Sequence, residues 1–150
     1  MEVAKPPFEI FPATALDFNK IREALKQAKL VYQDLDPALR HFFVARANGQ
    51  FQGCIGLEHY GHSGLLRSMW VDEGYRNQGI AGALVAKLEG YASSLGLHAL
   101  YLLTETAESY FGKRGFQQMD RDLTPEELKA SAEFKSLCPA SAKLMVKWLN

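Results

Sequence analysis

An excess of charge of either sign, a long apolar run and a dense set of cysteines are all missing from this sequence, and each absence removes a class of protein. Seventeen Lys and Arg balance seventeen Asp and Glu, giving a formal net charge of zero. Nucleic acids and anionic membrane surfaces are normally met by a basic excess, so neither is an expected partner. No segment reaches the ~18 consecutive apolar residues of a membrane span, and the opening "MEVAKPPFEIFPATALDF" lacks the continuous apolar stretch of a signal peptide. The two cysteines, Cys54 and Cys138, form no C-x-x-C or metal-ligand pattern. So few thiols point to a reducing compartment, and a cytoplasmic protein is expected. Repeats, low-complexity tracts and linkers are also absent, so one domain over residues 1–150 is expected.

What is present has the patterning of an α/β protein. Phe8 to Phe11, bounded by prolines, reads as a short strand. Phe18, Ile21, Leu25 and Ala28 recur at helical spacing, with Thr14 and Asp17 ahead of them as a capping box. "LVYQDLDPALR" fits either a second short helix or a loop over a cleft. Two β-rich runs flank Asn48-Gly49, both tolerant of the positive φ of a hairpin turn. "LLRSMWV" is the next strand. Ile80, Leu84, Leu88, Tyr91 and Leu95 then mark a helix that Gly96 ends, and "HALYLLT" is a buried strand. Strand, helix and strand in that order predict a parallel βαβ unit. A short helix, "AESYFGKR", is closed by Gly115 and followed by the strand "FQQMD". Thr124 as N-cap, Pro125 at the first helical position and Glu127 three residues after the cap predict a helix over "TPEELKASAEFKSL". "AKLMVKWL" is a last strand, and the whole is one mixed sheet with flanking helices.

The chemistry is concentrated in Arg76, Asn77, Gln78, Gly79, Ile80, Ala81 and Gly82, directly ahead of the central helix. The first N–H groups of a helix have no intrahelical acceptor, and the aligned peptide dipoles place partial positive charge there. Gly79, Ala81 and Gly82 let a diphosphate approach the backbone, and Arg76 adds a charged donor. Neither the G-x-x-x-x-G-K-[ST] loop nor the G-x-G-x-x-G fingerprint is present.

What matches is R/Q-x-x-G-x-G/A after a strand. In "VDEGYRNQGIAGALV", and in "ETAESYFGKRGF" downstream, the sequence resembles the GNAT superfamily of acetyl-CoA-dependent N-acetyltransferases. The resemblance runs from about Phe43 to Phe116. It implies a mostly antiparallel sheet of six to seven strands with one central parallel βαβ unit. It also implies acetyl-CoA as cofactor, with residues 76–82 on its diphosphate. Backbone groups of Met69, Trp70 and Val71 would lie along the pantetheine arm, the Met69 N–H or a neighbour would face the acetyl oxygen, and Thr104 and Phe111 would complete the contacts. The tail "FKSLCPASAKLMVKWL" and "LLRSMWV" are most similar to a branch associated with arsenic-resistance operons.

The same resemblance assigns roles at the reacting centre. Relatives often protonate the leaving thiolate with a Tyr four residues before the closing Gly, a position held here by Phe111. Tyr110 is the candidate acid instead, although one residue turns a helical side chain by about 100°. Leu66 stands where a basic Glu would be sought. Glu58, flanked by apolar residues, is the better candidate base; the alternative is a strand-end carboxylate paired with Arg67. Arg67 either holds a substrate carboxylate or carries its charge to solvent. Glu105, at the end of the second parallel strand, is either a contact for the amine or an ordinary helix-entry charge. His59 and His62 read as exposed turn residues and Cys138 as a small buried residue in a turn fixed by Pro139. An edge strand bearing Trp148 would pair two chains. The expected function is transfer of an acetyl group to a primary amine of a small, amino-acid-like molecule, which the resemblance to the arsenic-resistance branch implies to be arsenic-containing. The alternative is an acyl-CoA-binding sensor or structural module.

Overall fold

The computed structural model describes residues 8–149. Strand β1 (Phe8–Pro12) leads through a single helical turn into helix α1 (Phe18–Gln27), where the Asp17 carboxylate accepts the Thr14 N–H at 2.9 Å, as the capping signal predicts. Residues 28–41 then form a chain of tight turns rather than a helix, with the Leu35 N–H bonded to Tyr32 O and the Leu39 N–H to Asp36 O. Leu35 and Leu39 are buried, which holds this loop down.

Strand β2 (Phe42–Ala47) returns as β3 (Gln50–Tyr60) through Asn48 and Gly49, at φ 52° and 73°. That left-handed pair matches the twist of antiparallel strands, so the hairpin is read directly from its two residues. Strand β4 (Ser63–Val71) follows, then helix α2 (Ile80–Ser94) and strand β5 (Ala99–Thr104). β5 is parallel to β4, with Ser63, Gly64 and Leu65 opposite Ala99, Leu100 and Tyr101. Past α2, Gly96 takes φ 79°, and the Gly96 and Leu97 N–H groups return to Ser93 O and Ala92 O, closing the helix as expected. Helix α3 (Glu108–Lys113), strand β6 (Gln117–Met119), helix α4 (Glu126–Lys129) and strand β7 (Lys143–Trp148) complete the order. The seven strands lie as β1-β2-β3-β4-β5-β7-β6, a mostly antiparallel sheet with the expected parallel β4-β5 pair.

Three expectations are corrected. β7 is not an edge strand, because β6 pairs with it through Gln117 to Met119 opposite Val146 to Leu144. Trp148 is nonetheless 60% exposed, beyond those rungs. The helix over residues 124–137 is broken: Pro125 rather than Thr124 occupies the N-cap, α4 lasts four residues, and Glu133–Leu137 forms a separate, wider turn. The Thr124 hydroxyl donates back to Arg121 O at 2.6 Å, and Glu127 accepts from the Ser63 hydroxyl at 2.9 Å, so neither is left to build a capping box. Cys138 is half-buried rather than fully buried.

Among the described residues two compact units are distinguished, one running to Gly56 and including Ser68–Leu88, the other Leu57–Arg67 with the chain from Glu89 onward. In the first, Ile21 and Leu25 of α1 pack with Leu35, Leu39, Phe42, Val44 and Cys54. In the second, Leu65, Ala99, Tyr101, Leu128, Leu144 and Val146 form the core. Among the described residues no helix is long and apolar enough to cross a membrane.

Candidate functional site

In the first unit, the end of β4 and the start of α2 are joined by a turn with an ordered interior. Asp72 Oδ1 accepts the Gly74 N–H at 3.0 Å, and the Tyr75 N–H bonds to Asp72 O at 2.9 Å. Asn77 and Gly79 then take φ 65° and 86°. A Cβ on Gly79 would meet nothing within 4 Å, so it is the backbone angle and not space that calls for glycine there. Turns of this handedness make concave arrays of N–H groups suited to anions. The first helical bond is Ala83 N–H to Gly79 O at 3.0 Å, and among the described residues no group caps the N–H groups of residues 78–82. A diphosphate therefore fits here: the donors are present and the protein does not consume them.

Beside this turn lies an open cavity of about 600 Å³. Phe51 and Trp70, stacked with centroids 5.4 Å apart, form one wall, and Lys20, Asp72, Glu73 and Arg76 also line it. Arg76 is exposed and rests its Nε 3.4 Å from Val71 O. A Cβ on Gly53 would stand 2.8 Å from Trp70 O, so glycine is what lets β3 approach the end of β4. Ser68 has φ 59°, an irregularity inside β4 directly before Met69.

In the second unit, Arg67 donates to Glu58 Oε2 at 2.7 Å and the Tyr60 hydroxyl to Oε1 at 2.8 Å. The Arg67 side chain is only 2% exposed, so it does not carry its charge to solvent, whereas that of Glu58 is 24% exposed. The pairing of Glu58 with Arg67 is thus real, and Tyr60 is a partner that sequence reading missed. The signal was available in the two-residue spacing, which puts Glu58 and Tyr60 on one face of the strand.

Thr104 ends β5 with its hydroxyl accepting the Ala107 N–H at 2.9 Å, so the side chain is engaged in entering α3. Glu105 is exposed. On α3, Phe111 is buried and packs edge-on against Tyr110 and Phe116. The Tyr110 hydroxyl is buried with no hydrogen-bond partner among the described residues. Lys147 fixes the far end of α3, donating to Arg114 O at 2.9 Å and to Glu89 at 2.8 Å. Burial and the neighbouring Glu133 carboxylate push the Cys138 thiol up to about 12. It is protonated at neutral pH and a poor nucleophile.

Residues 7–116 match the model of the acetyltransferase (GNAT) family. This chain belongs to the GNAT family. An uncharacterised N-acetyltransferase of Chlorobaculum tepidum is 32% identical over 91 residues, 60% of this GNAT chain and 58% of that relative. An amino-acid acetyltransferase of Pseudomonas syringae pv. syringae is 27% identical over 133 residues, 82% of this chain and 31% of that one. The GNAT chain thus spans less than two thirds of either relative.

Solved structures share the fold. N-acetylglutamate synthase from Neisseria gonorrhoeae, complexed with coenzyme A and N-acetyl-glutamate, gives a TM-score of 0.83 at 20% identity, covering 98% of this chain and 36% of that one. Rv2747 from Mycobacterium tuberculosis, in complex with CoA, gives 0.80 at 22% identity, covering 95% and 99%.

Proposed function

We propose that this GNAT protein transfers an acetyl group from acetyl-CoA to the primary amine of a small amino-acid-like molecule by direct attack. The observation that carries the proposal is the set of uncapped N–H groups over residues 78–82 behind the left-handed Asn77 and Gly79. With Arg76 they hold the coenzyme diphosphate. Acetyl-CoA supplies, when bound, an acetyl group activated as a thioester, whose thiol leaves readily because a thiol has pKa near 8.5.

The chain's own residues supply positioning and proton traffic. Backbone groups of Met69 and Val71, on either side of Trp70, pair with the pantetheine amides, and the Met69 N–H donates toward the acetyl oxygen. Glu58, partly exposed and held by Arg67 and Tyr60, accepts the proton of the incoming amine, directly or through water. Tyr110 donates a proton toward the departing sulfur. Its unpartnered hydroxyl supports that assignment, since a buried O–H without an acceptor is costly unless a ligand completes it. Arg67, buried and paired with Glu58, holds that base in place, and exposed Glu105 meets the amine. The amino-acid acetyltransferase relatives support the amino-acid class. Within it we favour an arsenic-containing amino acid, on the strings "LLRSMWV" and "FKSLCPASAKLMVKWL". Recognition would then not run through Cys138, whose thiol stays protonated.

Release of free thiol from acetyl-CoA, followed across amino acids, their decarboxylated amines and polyamines, tests the reading. Amino acids should exceed the matching amines by roughly ten- to a hundredfold in kcat/KM, the value of a charged hydrogen bond to the carboxylate. Tight CoA binding with silence across the whole panel would return the chain to a CoA-binding module.

A further inference from the structure

Buried in the first unit, Cys54 does something that its isolation in the sequence did not suggest. It lies on β3 opposite Val44, fully enclosed, and its Sγ donates to Ser68 O at 3.2 Å. Ser68 is the β4 residue with φ 59°, so its carbonyl belongs to a stretch where the regular strand is interrupted. Such positions persist only where the surroundings fix them.

The Ser68 carbonyl and the Met69 N–H are two ends of one planar trans peptide and point in opposite directions. Whatever fixes the carbonyl also fixes the amide. We propose that Cys54 is a positioning residue for acetyl transfer: its thiol anchors the Ser68 carbonyl and so aims the Met69 N–H at the acetyl oxygen. This rests on the role given above to Met69.

The chemistry of the thiol suits the task. Burial pushes it up to about 12, against a smaller opposing effect of a backbone hydrogen bond from Trp70, so it remains a protonated donor at any physiological pH. A valine at this position would fill the space without donating, and a serine would donate while filling less.

Those two substitutions oppose packing to hydrogen bonding. Cys54→Ser and Cys54→Val would be compared with the unaltered protein by three readouts: the amide resonance of Met69 in the free protein, the infrared carbonyl band of bound acetyl-CoA labelled with carbon-13 in its acetyl carbonyl, and turnover with the best acceptor of the amine panel. Cys54→Val should move the Met69 resonance, lose the shift of the labelled carbonyl to lower frequency and fall about tenfold in kcat, with CoA affinity unchanged, because a misaimed oxyanion donor loses part of the roughly hundredfold or greater effect of a well-placed one. Cys54→Ser should stay close to the parent in all three. If Val performs as well as Ser or better, packing governs the site and the proposal fails. If the unaltered protein itself shows no shift of the labelled carbonyl, it is the role of Met69 that falls. A normal shift in the parent, retained in Cys54→Val, overturns the part given to Cys54 alone.

Discussion

Tyr110 and Glu58 show how single side chains separate stability from activity. The Tyr110 hydroxyl is buried without a partner, so Tyr110→Phe should raise stability by about 1 kcal/mol, measured by urea unfolding, while lowering kcat if the hydroxyl serves the leaving sulfur. A variant that is both more stable and fully active would remove Tyr110 from the chemistry. Glu58→Gln keeps the shape and can still accept from one of its two donors, Arg67 or Tyr60, but cannot take a proton. Turnover at neutral pH should drop about a hundredfold with CoA affinity, read by calorimetry, unaltered. The resemblance to the GNAT family made both residues candidates. It could not show that the Glu58 oxygens each hold a donor, because Arg67 reaches it from the adjacent strand.

At the scale of elements, the helix ends carry the energetics. A methyl group at Gly79 would touch nothing, so Gly79→Ala tests the turn conformation by itself. Gly79 takes φ 86° in the structure itself, so the substitution should lower stability by about 1 kcal/mol, read by urea unfolding. Unchanged stability would mean that the turn relaxes to another conformation in the variant, and CoA affinity read by calorimetry should then fall with it. Helix α3 is too short to be stable alone and is held by Thr104 at its entry and Lys147 at its exit. Lys147→Met should lower stability by about 1 kcal/mol, and Lys147→Arg should recover part of it. The hairpin and the end of α2 were legible because Asn-Gly and Gly96 act locally. The 124–137 segment was misread because Glu127 is taken by Ser63, 64 residues away in sequence, which no local capping rule can see.

For the molecule as a whole, two thiols held protonated predict an alkaline weakness. Cys54 and Cys138 are each pushed up to about 12, well above the ordinary thiol range. Between about pH 9 and 12 the unfolded chain releases these protons and the native one keeps them, so stability must fall as pH rises. For the enclosed Cys54 alone the slope approaches 1.4 kcal/mol per pH unit, with Cys138 adding less because it is half-exposed. Tyr101, raised by burial and by Glu127, adds in the same direction at higher pH. The urea midpoint should therefore drop between pH 8.5 and 10.5, and drop less in Cys54→Val. Equal drops in the two proteins would show that Cys54 releases its proton in the folded state.

By itself the amino-acid order determined the order of the strands, the parallel crossover and the glycine-bearing turn before α2. Each of these depends on residues near one another along the chain. Tertiary structure alone decided the β7-β6 pairing that covers the last strand, the burial of Arg67 against Glu58, and the anchoring of Ser68 by Cys54. Those depend on which strands become neighbours, and strand adjacency is set by packing across the whole sheet, not by any local spacing.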